Sequence, residues 1–545
     1  MTEIHSTLVG SEKNLTDPVF FFGNGIDYPQ LPSVEVVGSK AYNLMKLTKL
    51  DLPIPPGFVL GTSFCHDFFL NGQKISSDFL EMLQSNIKRF ETMTRFTFGG
   101  ARRPLLVSVR SGAAVSMPGM MDTILNVGLC DSTVSGLVRM TGNPKFVWDS
   151  YNRLVSSYAK VVYHSPTDLF DSVLKDYLQK NEAQNISELD SEELKNITQE
   201  YLQIFKKITG KKFPQSLLEQ LIGAVEAVFK SWESPRAIEY RKIRNITGLM
   251  GTAVIIQTMV FGNMGVTSGS GVGFTRNPTT GENVLFLDYL SNAQGEDVVS
   301  GKYLCQDVHY LHKILPQVYD EIQSMRRTLE LAFKDVQDFE FTVQEEKLFL
   351  LQSRTGKRTP WAALKIAVDL VNEGIIDPRT AIKRLEEHNI HSIKRPKILS
   401  KYLLQPLSTG TSASHGVAVG KIAFTSEKAK DLKNAGESVI LVRQDILTED
   451  LEGISASDGI LTTRGGRTSH AAVVARQFDK ACIVGCHDLV IIPENNICKL
   501  AATILNEGDL ISLDANSGNV YNGKVEIVEE KPTELIDQVE KWNKT

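Results

Sequence analysis

Gly465-Gly466-Arg467-Thr468-Ser469-His470-Ala471-Ala472-Val473-Val474-Ala475-Arg476 decides how this chain is read. Upstream, 439–443 and 459–463 have the composition of short buried strands. Gly465-Gly466 lets the backbone turn sharply, Thr468 and Ser469 are cap residues, and the apolar run from Ala471 carries a helix into a core. His470 then falls beside a helix N-terminus, where free N–H groups and the macrodipole favour an anion. A neutral imidazole is a competent nucleophile near neutral pH, so a histidine held there is placed to accept a phosphoryl group. On its own, such a histidine would read as an ordinary turn residue.

Working outward, the chain has 545 residues, which is too long for one core and suggests about three to four domains. Apolar content of 42% and charged content of 23% are those of a water-soluble globular protein. A net charge of −5 gives no general attraction to nucleic acid or anionic membranes. No apolar run approaches a membrane span, and the N-terminus, with Glu3, Glu12 and Asp17, resembles neither a signal nor a transit peptide. Six scattered cysteines point to a reducing compartment, so a cytoplasmic location is expected. Cys482, Cys486 and His487 lack a second ligand pair and read as core residues rather than a metal site.

Residues 1–17 read as a polar leader. Short apolar runs alternate with glycine turns from Val19 to about Gly128, and a helical block is expected from about 166 to 241. Within it, Asp190 and Glu193 make a capping box. Strands are expected at 252–257 and 271–276, then a hairpin of 338–343 and 348–354 joined by 344–347. Thr359-Pro360 and Asp377-Pro378 each begin a helix, and polar, basic sequence from 387 to 401 reads as a linker.

The sequence has no Gly-x-x-x-x-Gly-Lys-Ser/Thr loop, which argues against a P-loop fold. Asp338 and Glu340 lie two apart on a strand and share a face, as do Gln352 and Arg354 on the partner strand. Carboxylates, an amide and a guanidinium on one face suit Mg²⁺ held between protein oxygens and phosphates, although alternating charge alone commonly marks a solvated face. The small-residue stretch Ser111–Asp122, which includes Gly119, could cover phosphates with its amides or be a plain surface loop.

These ties are broken by a resemblance. The stretch around His470 is similar to the phosphohistidine motif of pyruvate phosphate dikinase, phosphoenolpyruvate synthase, glucan water dikinases and enzyme I of the sugar phosphotransferase system. From about Phe20 to Asn522 the chain resembles the amino-terminal part of the pyruvate phosphate dikinase family. The resemblance rests on Val37-Gly38-Ser39-Lys40-Ala41-Tyr42-Asn43-Leu44, on Ser108-Val109-Arg110-Ser111-Gly112 through Asn126, and on Ser234-Pro235-Arg236-Ala237. Phe274-Thr275-Arg276-Asn277-Pro278 and Asn292-Ala293-Gln294-Gly295-Glu296-Asp297 follow in family order.

The resemblance implies an α/β (α+β) multidomain chain. An ATP-grasp domain would span 18–357 with a helical insert at about 166–241. A helical linker at 358–404, a swivelling phosphohistidine β/β/α domain at 405–523 and a linker helix at 524–545 would follow. It implies that Lys40, Arg110 and Gly119 contact ATP, that Glu296, Glu340, Gln352 and Arg354 complete the nucleotide and Mg²⁺ site, and that Glu340 and Gln352 hold the metal. His470, Arg110 and Arg354 would be catalytic. The reaction implied passes a phosphoryl group from ATP through His470, releasing AMP and, with phosphate, pyrophosphate; pyruvate then becomes phosphoenolpyruvate on a separate barrel.

That barrel is expected to be missing here, with Trp542 in the linker where it would begin, so the enzyme would be incomplete without an acceptor supplied by another chain or lost by truncation. ATP and phosphate are the expected partners, with no nucleic acid or membrane, and a homodimer left open. Arg467 stands where the dikinases usually have methionine, but arginine is common there in the synthase and enzyme I. Thr468 matches a regulatory phosphorylation site of plant members, and helix capping explains it equally well. A catalytically silent nucleotide-binding protein would show an eroded phosphate kit, whereas Lys40, Arg110, Glu340, Gln352, Arg354 and His470 are all present. A synthase would commonly have cysteine at Ser469. The antibiotic phosphotransferases need a substrate domain for which 360–404 is too short.

Overall fold

The computed structural model describes residues 19–544, apart from 24, 116, 118, 119, 184, 300–302, 304, 400–404, 447–449, 468 and 469. The expected leader at 1–17, Gly119 and Thr468 therefore lie outside the described residues. The chain divides into two compact units, 1–260 and 261–545. The expected ATP-grasp span of 18–357 runs across that boundary.

In the first unit an antiparallel sheet runs edge to edge through Val19–Phe22, Gly57–Leu60, Ala253–Thr258, Val107–Gly112 and Thr123–Val127. Gly57–Leu60 and most of Ala253–Thr258 are apolar because both faces are covered, as the complete burial of Phe58, Val59, Leu60 and Ile255 requires. The 19–128 stretch is not only strands and turns, as expected, but holds the helices Val34–Thr48, Thr62–Leu70 and Ser77–Thr94. Ser76 caps the third by accepting from Phe79 N, and Phe79, Leu83 and Phe90 form its buried stripe. The apolar strands on either side obscured that period.

The helical block also starts earlier than expected, with Asp131–Thr141 and Pro144–Val162 preceding Asp168–Lys180. Asn143 caps the Pro144 helix and proline occupies its first turn, a start signal carried by the sequence itself. Asp190 and Glu193 form the expected capping box of Ser191–Thr209.

The second unit opens with an antiparallel sheet ordered Phe286–Ser291, Gly269–Phe274, Gln337–Gln344 and Lys347–Thr355. Its last two strands are the expected hairpin, closed by Glu345 and Glu346 alone, both at positive φ as a two-residue hairpin turn demands. Helices Pro360–Asn372 and Pro378–Leu385 start where the proline signals placed them.

The 387–401 segment is not a plain linker. Arg395–Ile398 is a strand paired antiparallel with Ile527–Glu530, so the chain enters and leaves the segment between them through one two-stranded ribbon. Arg395 bonds Glu530 at 2.8 Å and lies over the Trp361 ring. The final helix, Thr533–Asn543, buries Ile536 and Val539 among Trp361, Leu364 and Val368 of the linker helices. Between the ribbon strands lies a sheet ordered Ser408–Thr409, Asn519–Asn522, Leu510–Asp514, Val417–Ala423, Val439–Arg443, Gly459–Thr462, Ala481–Val484 and Thr411–Ser412. Its four strands from Val417 to Val484 are parallel.

Candidate functional site

Lys40 and Arg110 are held by one backbone contact in the first unit. The helix carrying Lys40 is broken at Gly38, whose φ of 77° and ψ of 156° are not helical. That break presses Gly38 onto Gly112, the end of the strand that carries Arg110. Ser39 completes the latch, donating from its backbone N (2.9 Å) and its Oγ (3.0 Å) to Ala113 O. Arg110 Nη1 lies 3.4 Å from Gln257 Oε1, and Gln257 Nε2 donates to Pro55 O at 2.9 Å, which steadies the amide. Asp122, at the end of the small-residue loop, pairs with Arg236 at 2.5 Å. That ion pair ties two separate resemblance motifs together. Ser234 caps the Arg236 helix by accepting from Ala237 N.

In the second unit the register places Phe286, Phe274, Asp338 and Arg354 directly across from one another in a single row. Directly opposed residues share a sheet face. Glu340 stands opposite Gln352 in the next row, so the expected common face of 338, 340, 352 and 354 is present. Arg354 Nε donates to Asp338 Oδ2 at 2.7 Å. Burial pushes the Asp338 carboxyl up, against the pull of Arg354. Burial would lower the Arg354 guanidinium, but Asp338 and Glu340 outweigh it and hold it above its usual value. Glu296 sits exposed on the short helix Gly295–Val299, which follows the Phe286–Ser291 strand.

Among the described residues there is no cluster of three His, Cys, Asp or Glu side chains that could cage a metal. The hard oxygens of Glu340 and Gln352 fit Mg²⁺, which takes one or two protein ligands and fills its octahedron with water and phosphate oxygens.

The His470 turn leaves the C-terminal end of the parallel strand Gly459–Thr462, and His470 is the first residue of the helix His470–Gln477. The two glycines before it are needed for different reasons. Gly465 has a φ of 105°, where only glycine is comfortable, and a β-carbon at Gly466 would stand 2.9 Å from Asp288 Oδ2. The turn thus rests on the Phe286–Ser291 strand. Arg467 lies over the Phe286 ring at 5.2 Å, and Arg476 lies 5.6 Å from the Phe274 centroid.

Asp288 and Arg476 were not singled out in the sequence. Asp288 lies in an apolar strand without a partner at any telling spacing, and Arg476 reads as a surface residue at a helix end. Arg476 is 4% exposed, and burial lowers its guanidinium to about 10 while Cys482, Asp288 and Asp338 work against that fall. Cys482 and Cys486 are core residues, as expected, and burial pushes the Cys482 thiol up to about 12. Among the described residues no helix is long and apolar enough to cross a membrane.

Residues 73–320 match the family model "Pyruvate phosphate dikinase, AMP/ATP-binding domain", and residues 435–518 match "PEP-utilising enzyme, mobile domain". The chain is 42% identical to pyruvate, phosphate dikinase of Clostridium symbiosum over 93% of its own length and 58% of that protein's. It is 44% identical to pyruvate, phosphate dikinase 2 of Zea mays, with 93% and 57% covered, and 43% identical to the chloroplastic enzyme of Flaveria pringlei, with 93% and 53% covered. The chain thus spans between half and three-fifths of the curated relatives it matches. The Lys40 and Arg110 motifs, the sheet bearing Asp338 and Arg354 and the His470 turn all fall within the 93% of the chain that is similar to these pyruvate phosphate dikinases.

Proposed function

We propose that this chain transfers phosphoryl groups from ATP to His470, releasing AMP and, with phosphate, pyrophosphate. That is the ATP-side half of the reaction ATP + phosphate + pyruvate to AMP + pyrophosphate + phosphoenolpyruvate. The observation that carries the reading is the row Phe286–Phe274–Asp338–Arg354, on which the His470 turn rests through Arg467 and Arg476. A nucleophile-bearing turn lying on the row that ends in a phosphate-type arginine is what a phosphoryl acceptor needs.

In this reading Lys40, Arg110 and Arg354 bind ATP phosphates, Glu296 helps to complete the nucleotide and Mg²⁺ site, and Gly119 belongs to the loop covering them. Glu340 and Gln352 hold Mg²⁺, which supplies charge neutralisation at the phosphates. Because AMP leaves, the imidazole nitrogen of His470 forms its bond to the β-phosphorus as the bond to AMP breaks. Phosphate then accepts the terminal phosphoryl group and departs as pyrophosphate, leaving phosphohistidine. Arg110 and Arg354 stabilise the charge on the transferring group. The final acceptor is pyruvate on a barrel of the kind the family uses, and the setting is the cytoplasm, a reading supported by six free thiols. Thr468, beside His470, is the candidate regulatory phosphorylation site.

The test is intact-protein mass after incubation with Mg²⁺, ATP and phosphate, alongside His470→Ala, with AMP and pyrophosphate assayed in parallel. One added phosphoryl group that vanishes in the variant, together with AMP, is the expected result. Folded, ATP-bound protein that gives neither adduct nor AMP would instead be a silent nucleotide-binding scaffold.

A further inference from the structure

Arg476 is the last charged residue of the helix that begins at His470, yet it is buried rather than solvated. Its Nη1 donates to Ala413 O at 2.6 Å and to Arg467 O at 2.9 Å, which props the turn before His470 from behind. Its guanidinium also reaches out of its own domain to Phe274, the direct cross-strand neighbour of Asp338. Asp288 and Asp338, 3% and 7% exposed, are the carboxylates of that sheet which attract it. Asp338 spends one oxygen on Arg354, while its Oδ1 has no hydrogen-bond partner among the described residues.

A buried carboxylate with only one oxygen satisfied gains from a second cation nearby, and a buried guanidinium needs carboxylates around it. We infer that Arg476 is a positioning residue that docks the His470-bearing domain onto the four-stranded sheet, and that Asp338 is shared between it and Arg354. Docking and nucleotide binding then meet at one carboxylate. Phosphates that draw Arg354 towards themselves take away the cation that Asp338 pairs with, which leaves Arg476 as its counter-charge, so a loaded nucleotide site favours the docked domain. When the domain swings away, Arg476 and both carboxylates return to water. The inference rests on the proposed function for its catalytic consequence but not for the docking itself.

The test is hydrogen exchange by mass spectrometry on the full chain, for the parent, Arg476→Met, Arg476→Lys and Asp288→Asn. Arg476→Met should speed exchange in 286–291, the edge strand of its sheet, and in 463–467. The interior strands 439–443 and 510–514 should keep their protection. Asp288→Asn, which leaves the His470 domain's own interior untouched, should reproduce the 463–467 effect. At saturating ATP, Arg476→Met should slow phosphohistidine formation about tenfold or more with little change in ATP affinity, and Arg476→Lys should recover part of the rate.

Unchanged exchange in 286–291 overturns the inference. So does an equal rise in 439–443 and 510–514, because Arg476 would then be only an internal strut. Silence of Asp288→Asn at 463–467, or an unchanged rate in Arg476→Met when the parent does form phosphohistidine, is equally fatal. A parent that shows the expected exchange pattern and binds ATP but forms no phosphohistidine defeats the proposed function and leaves the docking role standing.

Discussion

Gly38 lies against the backbone of Gly112 so closely that a β-carbon on Gly38 would stand 2.1 Å from the Gly112 carbonyl oxygen. The contact is between two backbones, so no flexible side chain can move aside. Gly38→Ala adds that clash to the strain of a φ of 77°, and should cost about 2–4 kcal/mol of stability. Lys40, two residues on, should lose its alignment with the Arg110 strand, and ATP affinity should fall. Denaturant unfolding with calorimetric ATP titration measures both. A variant as stable as the parent would show that the 107–112 strand yields.

Arg276 is completely buried and spans three elements. Its Nε and Nη2 donate to Glu330 at 3.0 and 2.9 Å, and Nη2 also donates to Glu373 at 2.8 Å. Removing the buried partner leaves the guanidinium only carboxylates that are partly exposed, so Glu330→Gln should destabilise the protein by about 3 kcal/mol. Arg327→Ala, which removes the half-exposed partner of Glu373, should shift the urea midpoint by the equivalent of less than about 1 kcal/mol. Equal effects from the two variants would show that burial does not govern this network.

His415 gives the stability a pH dependence. Burial holds its imidazole below the usual range, Asp479 pulls it up, and Arg395 pushes it further down. The unfolded chain therefore takes up a proton before the folded chain does. Stability from this group is complete above the ordinary histidine pKa of about 6.5 and is lost as pH falls from there through the depressed folded value. The fall in melting temperature between neutral and mildly acidic buffer should shrink in His415→Gln. An unchanged fall would assign the acid sensitivity to other groups.

Glu340 is the proposed carboxylate ligand of Mg²⁺. Glu340→Gln should reduce ATP-to-AMP turnover by about 10²-fold, and excess Mg²⁺ should restore part of it. Chelation should stop AMP formation in the parent without altering the thermal stability of the nucleotide-free protein, since no described cluster cages a metal. If the chelated, nucleotide-free protein melts earlier, the metal has a structural site elsewhere.

Much of this was legible because it is local. The strands before His470, the hairpin of 338–354, the Asp190 cap and the proline-started helices at 360 and 378 each depend on a few neighbouring residues. The early helices at 34–94 were misread because their stripes are interleaved with apolar strands, and a short window cannot separate the two periods. Arg395–Ile398 read as linker because it is polar and basic, and it becomes a strand only through pairing with Ile527–Glu530.

The sequence by itself determined the chemistry: a histidine at a glycine-led helix start, two cationic motifs, and a strand pair carrying Asp338, Glu340, Gln352 and Arg354. Short-range sterics and side-chain spacing are enough to specify those. Tertiary structure alone decided that Gly57 pairs with Gln257, that Phe286, Phe274, Asp338 and Arg354 form one row, and that Arg476 is a buried cation rather than a solvated one. Register between remote strands, and the burial of a charge, follow from which surfaces finally exclude water together, and no local pattern in the chain encodes that choice.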